Sequence, residues 1–320
     1  MKILFTGGSS FTGHWFVRAL ARAGADVVAT FTRGAREYEG LRAERVAGLG
    51  SVCDRVFDCA FGTDAFMELI RSESAWDLLC HHGADVTDYK SPSFDVFAAL
   101  GNNCRNVAGV LEAFGERGGS RVLITGSVFE PDEGAGDARR EAFSPYGLSK
   151  GLTAQVFRYH AHARGLGLGK FVIPNPFGPM EEPRFTTYLA RTWLEGRTAA
   201  VNTPDYVRDN IHVSLLAATY ARFALPDDDA PSPTTAHPSG YVERQGAFAE
   251  RFARELRGRL GVPCELELSP QTDFSEPLER FNVEPAVERV PEWNEAAAWD
   301  ELAASYLARF GPGAPADDPR

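Results

Sequence analysis

Short apolar runs alternate with stretches of helical period through the first half of the chain. Residues 3–6, 26–32, 52–57, 78–81, 121–125 and 170–173 are brief and rich in apolar or β-branched side chains, as buried strands are. Between them apolar positions recur at helical spacing. Phe16, Val17, Leu20 and Ala21 share one face of a helix that stops at Gly24, a usual C-terminal residue. Residues 94–114 and 146–164 each predict one longer helix. Six strands punctuated by helices make a doubly wound parallel sheet of the α/β class the expected architecture.

Beyond residue 174 the alternation breaks. Pro174, Pro176, Pro179 and Pro183 crowd together, followed by helical patterns near 185–195, 246–259 and 293–310 and a strand pattern at 265–268. A boundary is expected there. Residues 1–174 form the sheet domain, to which the chain returns around 205–226, and residues 175–320 form a smaller mixed α/β lobe. The Pro, Ser, Thr and Asp residues of 226–240 predict an exposed loop, and 311–320 predicts a disordered tail.

Composition narrows the class. With 44% hydrophobic and 24% charged residues among 320, the chain is too apolar to be disordered and too long to need stapling. A net charge of −11 argues against a nucleic-acid binder, which needs a basic face, but allows a local basic pocket for a small anion. Cys53, Cys59, Cys80, Cys104 and Cys264 are odd in number and lack paired spacing, so a reducing, cytoplasmic compartment is expected. No signal peptide and no membrane span are expected, because the apolar runs are too short for either.

Thr6-Gly7-Gly8-Ser9-Ser10-Phe11-Thr12-Gly13 leaves the first strand and opens the first helix. Glycines there let backbone approach a pyrophosphate, whose charge meets the free N–H groups of the helix terminus. The first domain is therefore expected to be a Rossmann-type dinucleotide-binding domain, although Ser10 stands where the pattern has its middle glycine. A tight turn without ligand is the alternative. At the end of the second strand an acid binds a ribose 2′-hydroxyl, whereas an arginine accepts a 2′-phosphate. Thr32 and Arg33 stand there without an acid, which favours NADP(H) over NAD(H). A solvated loop cation is the alternative for Arg33.

Tyr146 and Lys150 lie four apart and share one helical face. They follow a fifth strand leading into Ser127, at the carboxyl edge where such sheets bind ligands. A phenol of pKa about 10 must fall to about 7 to exchange protons near neutrality, which requires about 4 kcal/mol. A cation at about 4 Å in an effective dielectric of about 20 supplies about that much. Lys150 can thus activate Tyr146 as acid and base while Ser127 bonds the substrate oxygen. His81 and His82 close the fourth strand with Gly83 and Ala84. Adjacent strand residues face opposite ways, so the pair predicts packing beside the cofactor and no metal site.

In this order the motifs resemble the extended short-chain dehydrogenase/reductase family, which includes nucleotide-sugar epimerases, dehydratases and reductases. The resemblance runs from Lys2 to about Asn282. It implies that Gly7, Ser9, Ser10, Phe11, Thr12 and Gly13 contact the cofactor and that Asp58 and Cys59 contact its adenine. His82, Gly83 and Ala84 look like the segment under the cofactor, Asn103 like the asparagine of the following helix, and Ser127, Tyr146 and Lys150 like the catalytic trio. The turn from Pro174 to Pro179 resembles one that lies by cofactor and substrate, with Asn175 facing a nucleotide-sugar. Arg208, in Val207-Arg208-Asp209-Asn210-Ile211-His212-Val213, is similar to an arginine that meets the substrate diphosphate. Arg280 is a weaker second phosphate contact, a surface arginine being its alternative. By the same resemblance, the helices at 94–114 and 146–164 pair in a homodimer.

Departures from the pattern shape the expected activity. Val128 and Phe129 follow Ser127 where the family's dehydratases carry acids, which disfavours dehydration. The segment 130–144 sets specificity or is a mobile loop. Ser214-Leu215 replace an acidic pair. The expected function is NADP(H)-dependent ketone and hydroxyl interconversion at C4 of a nucleotide-linked sugar. A 4-epimerase that retains its cofactor is the alternative, and a catalytically silent NADP(H)-binding sensor or scaffold is a third reading.

Overall fold

The computed structural model describes residues 1–73, 75–136, 140–226 and 234–313. These residues divide into two compact units. The first holds residues 1–73, 75–134, 140–173, 217–226 and 234–238, and the second holds 135–136, 174–216 and 239–313.

In chain order the first unit begins with β1 (Lys2–Thr6), α1 (Phe11–Arg22), β2 (Asp26–Thr30), α2 (Gly40–Gly48), β3 (Asp54–Val56), α3 (Asp64–Ser72) and β4 (Leu78–His81). It continues with α4 (Val96–Asn103), α5 (Val107–Glu116), β5 (Arg121–Ser127), α6 (Pro145–His162) and β6 (Gly167–Ile173). The strands form a parallel sheet ordered β6-β5-β4-β1-β2-β3, extended past β6 by the short strand Thr235–Ala236. The chain thus starts in mid-sheet and winds outward in both directions, as the alternating pattern predicts. Burial on both faces explains why the strands read as continuous apolar runs. One apolar core joins Leu4, Leu79, Val122 and Ile124 of the sheet to Phe66, Leu111, Phe114 and Phe157 of the helices.

Four sequence expectations need correction. Residues 94–114 are two helices, broken at Cys104–Asn106, where Asn106 adopts the left-handed conformation with φ 47°. Neither glycine nor proline marks the break. The buried Asn103 side chain is spent on tertiary bonds at that point. The stretch 226–240 is not simply an exposed loop, because Thr235 and Ala236 pair with Lys170 and Phe171 and Ala236 is buried. The third strand covers only Asp54–Val56, and the sixth begins earlier, at Gly167. The disorder expected for 311–320 falls largely on 314–320, outside the described residues.

The second unit carries a three-stranded sheet in which Val207–His212 lies between Asn175–Phe177 and Tyr241–Arg244. Its core gathers Phe177, Trp193, Phe248, Phe252, Trp299 and Tyr306 from helices Phe185–Leu194, Gln245–Leu260 and Glu295–Phe310. No helix among the described residues is long and apolar enough to cross a membrane.

Candidate active site

The glycine turn after β1 is closed by contacts that leave no room for side chains. Gly7 has φ 86°, and a Cβ there would lie 2.7 Å from the Gly83 nitrogen. A Cβ on Gly13 would overlap the Gly7 carbonyl oxygen and lie 2.9 Å from the His82 ring. Ser10, in the place of a glycine, is the N-cap of α1. Its hydroxyl accepts from Gly13 N–H at 3.1 Å and donates to the Gly7 carbonyl at 2.9 Å. Ser9 and Thr12 are half-buried beside it and Phe11 is buried. The bare backbone and the helix terminus match what a pyrophosphate requires.

His81 and His82 face opposite sides of the sheet. His81 stacks on Phe157 at 4.8 Å, and His82 packs against Phe16 of α1 at 5.2 Å. Burial first, then the Lys150 charge, lowers both imidazoles to a pKa of about 3, so they are neutral. His82 joins the two halves of the site. Its Nε2 lies 3.0 Å from Ser10 Oγ and 3.1 Å from Thr12 Oγ1, and its Nδ1 lies 2.9 Å from Thr125 Oγ1. Gly83 donates its N–H to Thr6 Oγ1, and Ala84 follows, half-buried. Asn103 accepts from Asp85 N–H at 2.8 Å and donates to Thr153 Oγ1 at 3.3 Å, so both ends of its amide are used in holding the segment after β4.

At the ends of β2 and β3, Cys59 N–H donates to the Phe31 carbonyl and Asp58 N–H to that of Arg33. Cys59 is buried, which pushes its thiol up to about 11. Thr32 and Arg33 are exposed. Two carboxylates stand at the same turn. Glu37 accepts from Gly34 N–H at 2.7 Å, and the Asp58 oxygens come within 3.6 Å of where a Gly34 Cβ would be.

The helix that carries Tyr146 and Lys150 packs on the segment after Ser127 without side chains between them. A Cβ on Gly147 would overlap the Phe129 carbonyl oxygen, and one on Gly151 would lie 2.8 Å from Pro131. Ser144 caps the helix, accepting from Gly147 N–H, and Pro145 stands at its first turn. Lys150, buried on α6, donates to the Thr125 carbonyl at 2.6 Å. Burial lowers its pKa, Glu130 opposes that and Lys170 adds to it. Ser127 Oγ accepts from Phe129 N–H, and Tyr146 packs edge-on against Tyr89 and Phe94. Thr125, two residues before Ser127 on the same strand face, was passed over in the sequence, as were Tyr89 and Phe94. An isolated hydroxyl or ring in a loop carries no spacing by which to find it.

The profile of the NAD dependent epimerase/dehydratase family matches residues 3–234. The chain belongs to that family. The family, which the resemblance named, is one of NAD-dependent enzymes. Among solved structures, UDP-glucose 4-epimerase from Thermotoga maritima aligns with a TM-score of 0.73 at 16% identity, covering 97% of this chain and 100% of its own. UDP-glucuronic acid 4-epimerase from Bacillus cereus, bound to its sugar nucleotide and NAD, gives 0.72 at 17% identity over 96% and 98%. A dTDP-glucose 4,6-dehydratase from Streptomyces venezuelae gives 0.71 at 18% over 96% and 97%. At such identities the likeness is one of fold. No curated protein matches the sequence.

The remaining candidates lie in the second unit. Pro174 is buried, and Asn175 begins the strand paired to Asn210, with its Nδ2 buried and unpartnered among the described residues. Arg208, on the strand Val207–His212, is buried and directed onto residues 276–278. Its Nη1 donates to the carbonyls of Val207, Pro277 and Leu278, and its Nη2 meets Glu276 at 2.8 Å. Arg280 is buried as well, so it is not a surface arginine. Ser214, where the family pattern has an acid, lies 2.8 Å from His212 Nδ1 and accepts from Trp293 Nε1 at 2.9 Å.

Proposed function

We propose that the protein interconverts a ketone and a hydroxyl at C4 of a nucleotide-linked sugar, with Tyr146 as acid and base. The observation that carries this reading is the packing of α6, through Gly147 and Gly151, directly on the turn after Ser127. That packing brings the helix carrying Tyr146 and Lys150 onto the segment that follows Ser127, which supports a shared role for the three in a family of NAD-dependent epimerases and dehydratases. When bound, a nicotinamide would supply the hydride acceptor and donor. Ser127 then holds the substrate oxygen, Tyr146 exchanges its proton, and Lys150 stabilises the phenolate. Neutral His82 ties the pyrophosphate turn to Thr125, whose carbonyl fixes Lys150. The unpartnered Asn175 amide is the donor offered to the substrate, and Arg208 and Arg280 remain the candidates for its diphosphate.

Glu130 is the nearest acid following Ser127, and it is buried in an ion pair with Lys170, which supports a reaction without elimination of water. A 4-epimerase is the second reading, favoured by the UDP-sugar 4-epimerases among the structural neighbours. Net absorbance at 340 nm separates the two with UDP- and dTDP-hexoses. A reductase consumes reduced cofactor in proportion to product, whereas an epimerase yields product with no net change. Failure of both products to form overturns the proposal.

The cofactor proposal is NADP(H), supported by exposed Arg33 and the lack of an acid at the end of β2. Glu37 and Asp58 at the same turn favour NAD(H) as the second reading. Titration by nicotinamide fluorescence decides. NADP(H) predicts that Arg33→Ala weakens NADPH about tenfold and leaves NADH unchanged. Tighter NADH binding, indifferent to Arg33→Ala, contradicts it. A cytoplasmic homodimer completes the proposal. Leu148, Leu152 and Tyr159 recur along one exposed face of α6, and Phe97 of α4 is 83% exposed.

A further inference from the structure

A second set of charged side chains lies on the far side of β5 from the Ser127 hydroxyl. Gly126 makes room for it, since a Cβ there would lie 2.5 Å from Lys170 Cε and 3.1 Å from Glu130 Oε1. Glu130, fully buried, accepts from the Ser127 N–H through Oε1 at 2.8 Å and from Lys170 Nζ through Oε2 at 2.5 Å. Lys170 also meets Glu133 at 2.6 Å, and Glu133 meets half-buried His237 at 2.8 Å. Burial works against the Glu133 charge, but the bonds from His237 and Lys170 outweigh it and hold the carboxyl down at about 2.

We propose that Glu130 is a positioning residue for catalysis: its carboxylate clamps the backbone of Ser127 and, with Lys170, fixes the charge state of Lys150. This rests on the proposed roles of Ser127 and Lys150. The reasoning is one of charge balance. Lys150 and Lys170 are buried cations, and buried Glu130 and half-buried Glu133 are their counterparts, so the set is neutral only while both acids are present. Losing Glu130 leaves the set with one cation too many in a low-dielectric interior where Glu130 and Lys170 act on Lys150 in opposite senses, and there an opposite or like charge moves a titration by about one to three pH units. The other groups facing Lys150 are the Cys104 thiol at the end of α4, His81 and His82 at the end of β4, and Tyr146 one turn earlier on α6. The histidines are neutral and the thiol is pushed up by burial to about 11, so below that pH Glu130, Lys170 and, once ionised, the Tyr146 phenolate are the charges that decide.

The chain holds four lysines, Lys2, Lys90, Lys150 and Lys170, which makes a direct test practical. Lysine labelled with ¹³C at Cε gives four resonances, with that of Lys150 identified by its loss in Lys150→Met. Following its shift against pH reads protonation in the full chain without cofactor or substrate, so the result does not depend on which sugar is the substrate. Glu130→Gln is expected to lower the Lys150 midpoint by about one pH unit or more, and Lys170→Gln to raise it. The second variant decides the matter if the first does not fold. Midpoints unmoved, or moved in the opposite sense, overturn the proposal.

Discussion

Gly147 shows how one residue without a side chain assembles a site made of side chains. Any Cβ there would run into the Phe129 carbonyl and push α6, with Tyr146 and Lys150, off the turn that carries Ser127. Gly147→Val is therefore expected to cost about 1–3 kcal/mol of stability and to remove activity at temperatures where the protein is still folded. Circular dichroism melting and a turnover assay check the two parts. Tyr146 and Lys150 were legible in the sequence because their spacing of four is itself the geometry of a helix face. Glu130 was not, because its meaning depends on Lys170, forty residues away on β6, and on the space left by Gly126. Arg208 was picked out by its motif. Its bonds to Glu276 and to the carbonyls of Pro277 and Leu278, about seventy residues away, come from tertiary structure that no local pattern encodes.

Among elements, those with strong local period were readable and those defined by partners were not. The strands of the parallel sheet stand out because both faces are buried, and α1 because its apolar stripe ends at Gly24. The two-residue strand Thr235–Ala236 exists only by pairing with β6, and the break between α4 and α5 follows from the bonds of Asn103. The exposed seam of α6 allows a prediction. Leu148, Leu152 and Tyr159 are exposed along one face, as the proposed homodimer requires. Sedimentation is expected to show a dimer for the native chain and a monomer for Leu152→Glu/Tyr159→Glu, with the melting temperature of the variant no longer dependent on concentration. A native monomer at micromolar concentration contradicts the dimer.

The whole molecule carries a pH dependence set by its buried titratable groups. Burial lowers His14 to about 4 and His81, His82 and His212 to about 3, against 6.5 in an unfolded chain. The unfolded chain then binds more protons below pH 6.5, so stability present above 6.5 is lost as pH falls toward 3. Asp209 works in the opposite sense. Burial raises its carboxyl from 3.8 to about 7, despite bonds from the N–H groups of Gly240 and Asn282, so its contribution declines as pH rises from about 4 through 7. With four histidines against Asp209 and Glu181, whose carboxyl burial also raises, the melting temperature is expected to fall by several degrees per pH unit between 6.5 and 5. Asp209→Asn should compare better with the native chain at pH 8 than at pH 5, which melting curves at the two values check. A flat profile from 6.5 to 5 contradicts the neutral, buried state of the histidines.

The central claim is that Tyr146 moves the proton in a redox reaction on a nucleotide-linked sugar. Tyr146→Phe removes one oxygen atom and leaves the ring that packs on Tyr89 and Phe94. The most direct measurement is product formation from UDP- and dTDP-hexoses by native and Tyr146→Phe protein, alongside nicotinamide binding by each. The account predicts that kcat falls by a factor of about 10²–10⁴ while cofactor binding is unchanged. Undiminished turnover by Tyr146→Phe would contradict it.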